Sequence, residues 1–205
     1  MASISIINQY FPNLTEQQTK LLLNYQTQLI EINKSINLIS RKDVENIEIR
    51  HILHSLAIAK VHRFKPATTA VDIGTGGGLP GIPLAILFPK TKFVLVDTIE
   101  KKTKAVQQIV ENLNLTNVKV LHARAEKVKT KFNYVLSRAV TQLPKLLSWS
   151  KILLEQSNDH KIIMLKGGDI NKETKDLNYQ FEIKPINDFF KEDFFKEKYV
   201  ISTKL

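Results

Sequence analysis

The stretch Val71–Pro89, VDIGTGGGLPGIPLAILFP, sets a short apolar run ending on an acid against a cluster of glycines and a second apolar run. An apolar run, a glycine turn and a helix in succession open a parallel α/β unit, because a strand buried on both faces needs a crossover to reach its next neighbour. The pattern then repeats. TTAVDI, KFVLVD, NVKVL, FNYVLS and KIIMLK read as buried strands, and the segments near Gly81 to Phe88, Glu100 to Leu113 and Gln142 to Leu154 read as helices between them. That alternation predicts parallel strands, right-handed crossovers and helices on both faces. The tail departs from it: YQFEIKPI and EKYVISTKL are two strand-like runs around a short charged and aromatic segment, which predicts a closing antiparallel strand.

Ahead of Pro66 the texture is helical. From Thr15 to about Ile36 the positions Leu21, Leu22, Tyr25, Leu29 and Ile32 recur at helical spacing, and Thr15 with Gln18 forms a capping box. A second helix is expected from about Val44 to Val61. The division that follows is a helical extension over residues 1–64, packed on a single unit over 65–205. At 205 residues and 43% hydrophobic content the chain can bury one full core, and two independent domains would be a tight fit.

Lysine and arginine number 30 against 20 acids, a formal charge of +10, which favours a nucleic-acid or other anionic partner. The competing reading is a solvated, lysine-rich surface. There is no cysteine, so disulfides, thiolate metal sites and cysteine nucleophiles are excluded. The opening MASISIINQYFPNL has neither a basic n-region nor a long apolar run, and no segment approaches about 20 consecutive apolar residues, so a cytoplasmic protein with no membrane partner is expected.

Three ligand classes compete for the glycine loop. A triphosphate-binding loop needs Lys-Ser or Lys-Thr after its glycines, and none follows here. A dinucleotide fingerprint counted from Gly74 fails at Leu79; counted from Gly76 it runs through Gly78 and Gly81 but leaves Gly74 unexplained. The third pattern is an acid followed by spaced glycines, Asp72, Gly74, Gly76 and Gly78, and it suits a nucleoside without pyrophosphate such as S-adenosylmethionine. Glycine allows close backbone approach, and Asp72 can receive a cationic amino group directly or through water. Asp97, ending the next strand, is placed for ribose hydroxyls, a role shared with dinucleotide folds. Ala125 and Glu126 follow the third strand, where they border an adenine or simply form part of the surface.

Several segments together resemble the RsmG (GidB) family of bacterial guanine-N7 methyltransferases of small-subunit ribosomal RNA. They are INLIS at Ile36 to Ser40, RHILHS at Arg50 to Ser55, DIGTGGGLPGIPL at Asp72 to Leu84, DTIEKK at Asp97 to Lys102, RAE at Arg124 to Glu126, LSRAV at Leu136 to Val140 and MLKGG at Met164 to Gly168. The resemblance implies a seven-stranded, Rossmann-like class I S-adenosylmethionine-dependent methyltransferase fold with an N-terminal helical extension. It implies 16S ribosomal RNA as partner, within the small subunit or an assembly intermediate, and a monomer is expected. It also implies cofactor contacts at Gly74, Leu79, Ala125, Glu126 and Arg138, to which the glycine register adds Gly76 and Asp97. One position departs: the family reads Arg-His-x-x-Asp-Ser where this chain has His54 at the Asp, which puts in doubt an ion pair from that Asp to a neighbouring arginine.

The chemistry narrows accordingly. Pyrimidine C5 methylation in its usual form needs a cysteine, which is absent, and the Asn- or Asp-Pro-Pro-aromatic motif of exocyclic-amine methylation is replaced by Ser137, Arg138, Ala139 and Val140. Guanine N7 is an acceptor without a proton, so no general base and no catalytic dyad is expected. The spacing of His51 and His54 does not make a metal site. Arg138, at the rim after the fourth strand, is a candidate for cofactor, guanine or phosphate, or for a salt bridge. Lys166 is read as an RNA contact or a solvated lysine, and Arg50 and His51 as shaping the RNA entrance or docking their helix. The alternatives are a nicotinamide-dependent oxidoreductase and a non-catalytic ribosome assembly factor.

Overall fold

The computed structural model describes residues 3–138, 141–156 and 160–205; Ala139 and Val140, named above, lie outside the described residues. Strand β1 (Thr69–Ile73) pairs in parallel with β2 (Lys92–Asp97) on one side and β4 (Tyr134–Arg138) on the other. β3 (Val118–His122) extends the first side and β5 (Lys161–Gly167) the second, again in parallel. The two tail runs form β6 (Phe181–Pro185) and β7 (Lys198–Thr203). β7 lies between β5 and β6, antiparallel to both, so the seven-stranded order is β3-β2-β1-β4-β5-β7-β6. The expected antiparallel strand is therefore present, set one place inside the sheet edge.

Alternation along the strands sends side chains to two separate cores. Val71 and Ile73 of β1 and Ile162 and Met164 of β5 join Leu143, Leu146 and Leu147 of α7 (Leu143–Leu153) on one face. Ala70, Ile163 and Leu165 point to the other face, under α5 (Gly81–Leu87) and α6 (Glu100–Asn112). Near-continuous apolar strands of this kind are required when both faces are covered.

The N-terminal helices enlarge the second core. After a short α1 (Ser5–Tyr10), which the spacing does not predict, α2 (Glu16–Asn33) begins at the capping box: Gln18 N–H donates to Thr15 Oγ1 at 3.2 Å and Thr15 N–H to Gln18 Oε1 at 3.0 Å. Gln18 Nε2 also donates to the carbonyls of Ile86 and Leu87, tying the start of α2 to the end of α5. Leu22, Tyr25 and Leu29 of α2 share one buried cluster with Ile82 and Leu84 of α5.

The helix expected over Val44 to Val61 is not regular. It divides into a 3₁₀ segment (Arg41–Asn46), a π segment (Glu48–Leu53) and the short α3 (His54–Leu56) and α4 (Ile58–Val61). The wider π turn presents Arg50 and His51 toward the end of β4, and such turns are frequent at functional positions. A further short helix, α8 (Ile170–Thr174), follows β5, with the Asp169 side chain accepting from Lys172 N–H at its N-terminus.

Candidate functional site

The parallel strands end at one edge of the sheet, where chain order reverses between β1 and β4. Ligands of open α/β sheets bind at such a switch point. Two cavities lie on this edge. The first, about 200 Å³, sits over β1, β2 and β3 and is lined by Gly74, Asp97, Ala125, Glu126 and Trp149 among others. The second, about 400 Å³, sits over β4, β5 and β7 and is lined by Arg50, His51, Arg138, Lys166, Phe194 and Lys198 among others.

The glycine loop explains its own composition. Gly74, Gly76 and Gly78 have φ of 67°, 58° and 90°, the left-handed region that favours glycine. Gly81 answers to packing instead, since an added Cβ would stand 2.1 Å from Leu95 Cδ2 and 3.0 Å from Asp72 Oδ2. Tyr25, expected only as an apolar helix position, donates its hydroxyl to the Gly77 carbonyl at 2.9 Å and so holds the loop from the α2 side.

Asp72 is fully buried, and its Oδ2 accepts from Thr75 Oγ1 at 2.6 Å and from Gly81 N–H at 3.0 Å. Its Oδ1 is buried without a partner among the described residues. Burial pushes this carboxyl up to about 6, against the pull of the two donors and of Arg138. The same carboxylate occupies the N-terminal N–H of α5, where a dinucleotide's pyrophosphate would sit, so the oxidoreductase alternative meets a buried negative charge there. Asp97 accepts from Gly76 N–H at 2.9 Å on Oδ2 and from Ile99 N–H at 3.0 Å on Oδ1. Each oxygen keeps a second lone pair for a hydroxyl.

An adenosyl ligand fits these residues. The left-handed glycines leave a backbone cradle, Asp97 offers acceptors, Trp149 and Ala125 give apolar walls, and the buried Asp72 Oδ1, unpartnered among the described residues, suits an ammonium group. Gly74, Asp97, Ala125 and Glu126 are thus brought together as expected, whereas Leu79 and Gly76 are not among the residues that line this cavity. Leu79 is 2% exposed, with its side chain in the core, and a Cβ on Gly76 would face the Leu38 carbonyl.

Arg138 lines the second cavity, not the first. Its guanidinium donates to His51 Nδ1 at 2.9 Å and lies 3.4 Å from the Arg50 carbonyl. This bond assigns the His51 proton to Nε2, which lies 3.6 Å from Asp43 Oδ2, and Asp43 Oδ1 accepts from Arg50 at 2.6 Å. Burial, and then the nearby Arg138 charge, lowers His51 to about 3, so the ring is neutral. His51 therefore docks its helix onto β4, while Arg50 keeps a partly exposed head at the cavity. His54, also held neutral by burial, hydrogen-bonds the Arg50 carbonyl and packs edge-on to Phe194 and Phe195. It carries no charge with which to pair an arginine.

Lys166 is neither free nor fully solvated: its Nζ pairs with Glu173 Oε2 of α8 at 2.7 Å with the side chain 14% exposed. Phe194 and Lys198, on the same cavity, were not among the expected residues. The sequence signal available for them is the charged and aromatic segment between β6 and β7.

Comparison with known proteins agrees with this architecture. The family model for rRNA small subunit methyltransferase G (GidB) matches residues 18–198. A protein of Flavobacterium johnsoniae named ribosomal RNA small subunit methyltransferase G is 47% identical over 199 residues, 95% of each chain. Its namesake from Bacteroides thetaiotaomicron is 45% identical over 206 residues, covering 98% of this chain and all of that one. Among solved structures, an S-adenosylmethionine-dependent methyltransferase from Aquifex aeolicus superposes with a TM-score of 0.56 over 87% of this chain and 96% of that one, at 13% identity, which establishes the shared fold. The sheet order, the glycine loop and these relatives agree that the chain belongs to the rRNA small subunit methyltransferase G family.

Proposed function

We propose that the protein transfers a methyl group from S-adenosylmethionine to N7 of a guanine in small-subunit ribosomal RNA. The observation that supports this reading is the presence at the C-terminal edge of the parallel strands of two cavities, one lined by Gly74, Asp97, Ala125 and Glu126 and the other by Arg50, Arg138, Lys166 and Lys198. When bound, the sulfonium donor supplies an activated methyl group. Gly74, Asp97, Ala125 and Glu126 hold its adenosyl part, and Asp72 Oδ1 receives its amino group directly or through water. Guanine N7 carries no proton in neutral guanine and shares an edge with O6. Donors that hold O6 or the phosphates therefore leave N7 free, and Arg138, fixed by His51, is the residue so placed. Catalysis on this account is positioning rather than proton transfer. The test is transfer of labelled methyl groups to small subunits and to deproteinised RNA, with mapping of the product. Label at guanine N7 is expected; label at an exocyclic amine, or none, overturns the reading.

Residues 1–64 are read as an extension of the unit formed by 65–205, supported by their shared core. A monomer acting in the cytoplasm is proposed. Supporting it, the exposed large apolar residues among those described, Ile99, Ile152 and Leu205, form no common sequence cluster. Among the described residues no helix is long and apolar enough to cross a membrane.

The buried carboxyl gives donor binding a pH dependence. Asp72 titrates near 6 when folded, above its ordinary 3.8. The folded chain therefore holds this proton more tightly than the unfolded one, and ionising Asp72 lowers stability as pH rises from about 4 to about 6. Binding of an ammonium needs the ionised form and offsets that loss. Donor affinity is accordingly expected to be level above about pH 7 and to fall, by at most about tenfold per unit, below about pH 6. In Asp72→Asn the affinity is lower throughout and this fall disappears. A level wild-type profile by calorimetry from pH 5 to 8 removes Asp72 from the amino group.

Lys166→Ala is expected to raise the KM for RNA several-fold and leave donor affinity nearly unchanged. Glu173→Gln, which releases the Lys166 ammonium from its partner, is expected to lower that KM, because phosphate contacts dominate RNA affinity. Equal KM values for both variants and the wild type assign Lys166 a purely local role.

A further inference from the structure

The segment between β6 and β7 places two consecutive phenylalanines in different surroundings. The short turn Asp193–Phe195 buries Phe195 completely against Phe190, while Phe194 stays partly exposed on the second cavity. Its ring plane is fixed by edge contacts: centroids lie 5.6 Å from His54 and 5.2 Å from Phe195. Two cations lie over the ring, Lys198 Nζ at 4.6 Å from the centroid and the Arg50 guanidinium carbon at 5.6 Å.

An oriented aromatic ring packed against the core yet partly exposed on a basic cavity matches how proteins recognise unstacked RNA bases. Such bases stack on aromatic side chains, with positive charge beside them for the backbone. The cavity, at about 400 Å³, accommodates one nucleotide, and Arg138 lines it with Phe194. On the basis of the RNA methylation reading above, we propose that Phe194 is the platform on which the target guanine stacks, with Lys198 and Arg50 moving from the ring to the flanking phosphates. The ring trades a cation contact for a base face and Lys198 trades a neutral ring for an anion, while Arg50, already paired with Asp43 Oδ1 at 2.6 Å, shares its guanidinium between that carboxylate and a phosphate. The charged and aromatic segment thereby becomes the substrate-facing part of the tail. Phe194 is a positioning residue in this scheme, since the methyl group passes elsewhere.

The test uses the full chain and two substitutions. Phe194→Leu keeps the apolar contacts with Phe195 and removes the π face, whereas Phe194→Trp retains a π face. With small-subunit RNA the leucine variant is expected to raise KM by roughly tenfold, the scale of one lost base–aromatic stack, with donor affinity by calorimetry unchanged. The tryptophan variant is expected to return KM to near the wild-type value. A 2-aminopurine at the methylated position of an RNA fragment is expected to be quenched on binding the wild type and the tryptophan variant, and to stay bright with the leucine variant. Three results overturn the proposal: a wild-type KM for Phe194→Leu, equal quenching by all three proteins, or a leucine variant that also loses the donor, which would mark the ring as structural. A wild-type enzyme that methylates no RNA would remove the activity itself, whereas wild-type turnover with an unaffected leucine variant removes only the platform.

Discussion

Gly74→Asp is expected to abolish donor binding, weakening it by at least about a hundredfold, the scale of a few kcal/mol of combined strain and charge conflict. Gly74 sits at φ 67°, with its N–H donating to the Val96 carbonyl at 2.8 Å, and it lines the smaller cavity between β1 and β2. A side chain there is disfavoured by the backbone and projects from the turn that the donor must approach. A carboxylate adds a third negative charge to Asp72 and Asp97 in the same loop region. Calorimetry with S-adenosylmethionine or its demethylated product measures the loss directly, and Lys166→Ala is the control expected to retain binding. Comparable loss of donor affinity in both proteins would contradict the separation of donor and RNA between the two cavities.

Gly78→Ala is expected to act on the fold. Gly78 combines φ of 90° with a closed environment, because a Cβ would stand 2.5 Å from Ile82 Cδ1 and 2.9 Å from its Cγ1, and Ile82 is fully buried at the start of α5. Strain and overpacking together cost about 2–4 kcal/mol, a fall in Tm of roughly 5–15 °C for a chain of this length. Gly168 isolates the conformational part. Its φ is 87°, but nothing among the described residues lies within 4 Å of the added Cβ, so Gly168→Ala is expected to cost only about 1 kcal/mol. Equal melting temperatures for the two variants by calorimetric scan would show that Ile82 gives way freely.

The parallel half of the molecule was legible because burial on both faces writes itself into composition. TTAVDI, KFVLVD and KIIMLK contain β1, β2 and β5 within a residue or two. The capping box at Thr15 was legible because its two hydrogen bonds are local. The residues of the smaller cavity shared that advantage, since Gly74, Ala125 and Glu126 follow recognisable strands and Asp97 ends one. The π turn at Glu48–Leu53 was not legible: apolar spacing does not register the wider turn, and the partner of its His51, Arg138, lies far along the chain. Phe194 and Lys198 were missed for the same reason. Their neighbours Arg50 and His54 belong to another part of the chain, and locally the segment reads only as charged and aromatic. Lys166 was found, but its partner Glu173 was not, because that contact depends on the turn after β5.

The place of β7 has a consequence for the order of assembly. Chains emerge from the N-terminus, and early segments begin to fold while later ones are still absent. β1 to β4 can pair as soon as they are made, bringing the glycine loop, Asp97 and Glu126 into register. β5 can then join β4, but β6 waits for β7, the strand that follows it in the sequence and links it to β5. Lys198 is the first residue of that strand, and Phe194 stands just ahead of it. On the proposed division between the two cavities, a nascent chain completes the strands that carry Gly74, Asp97 and Glu126 before it has made Phe194 and Lys198.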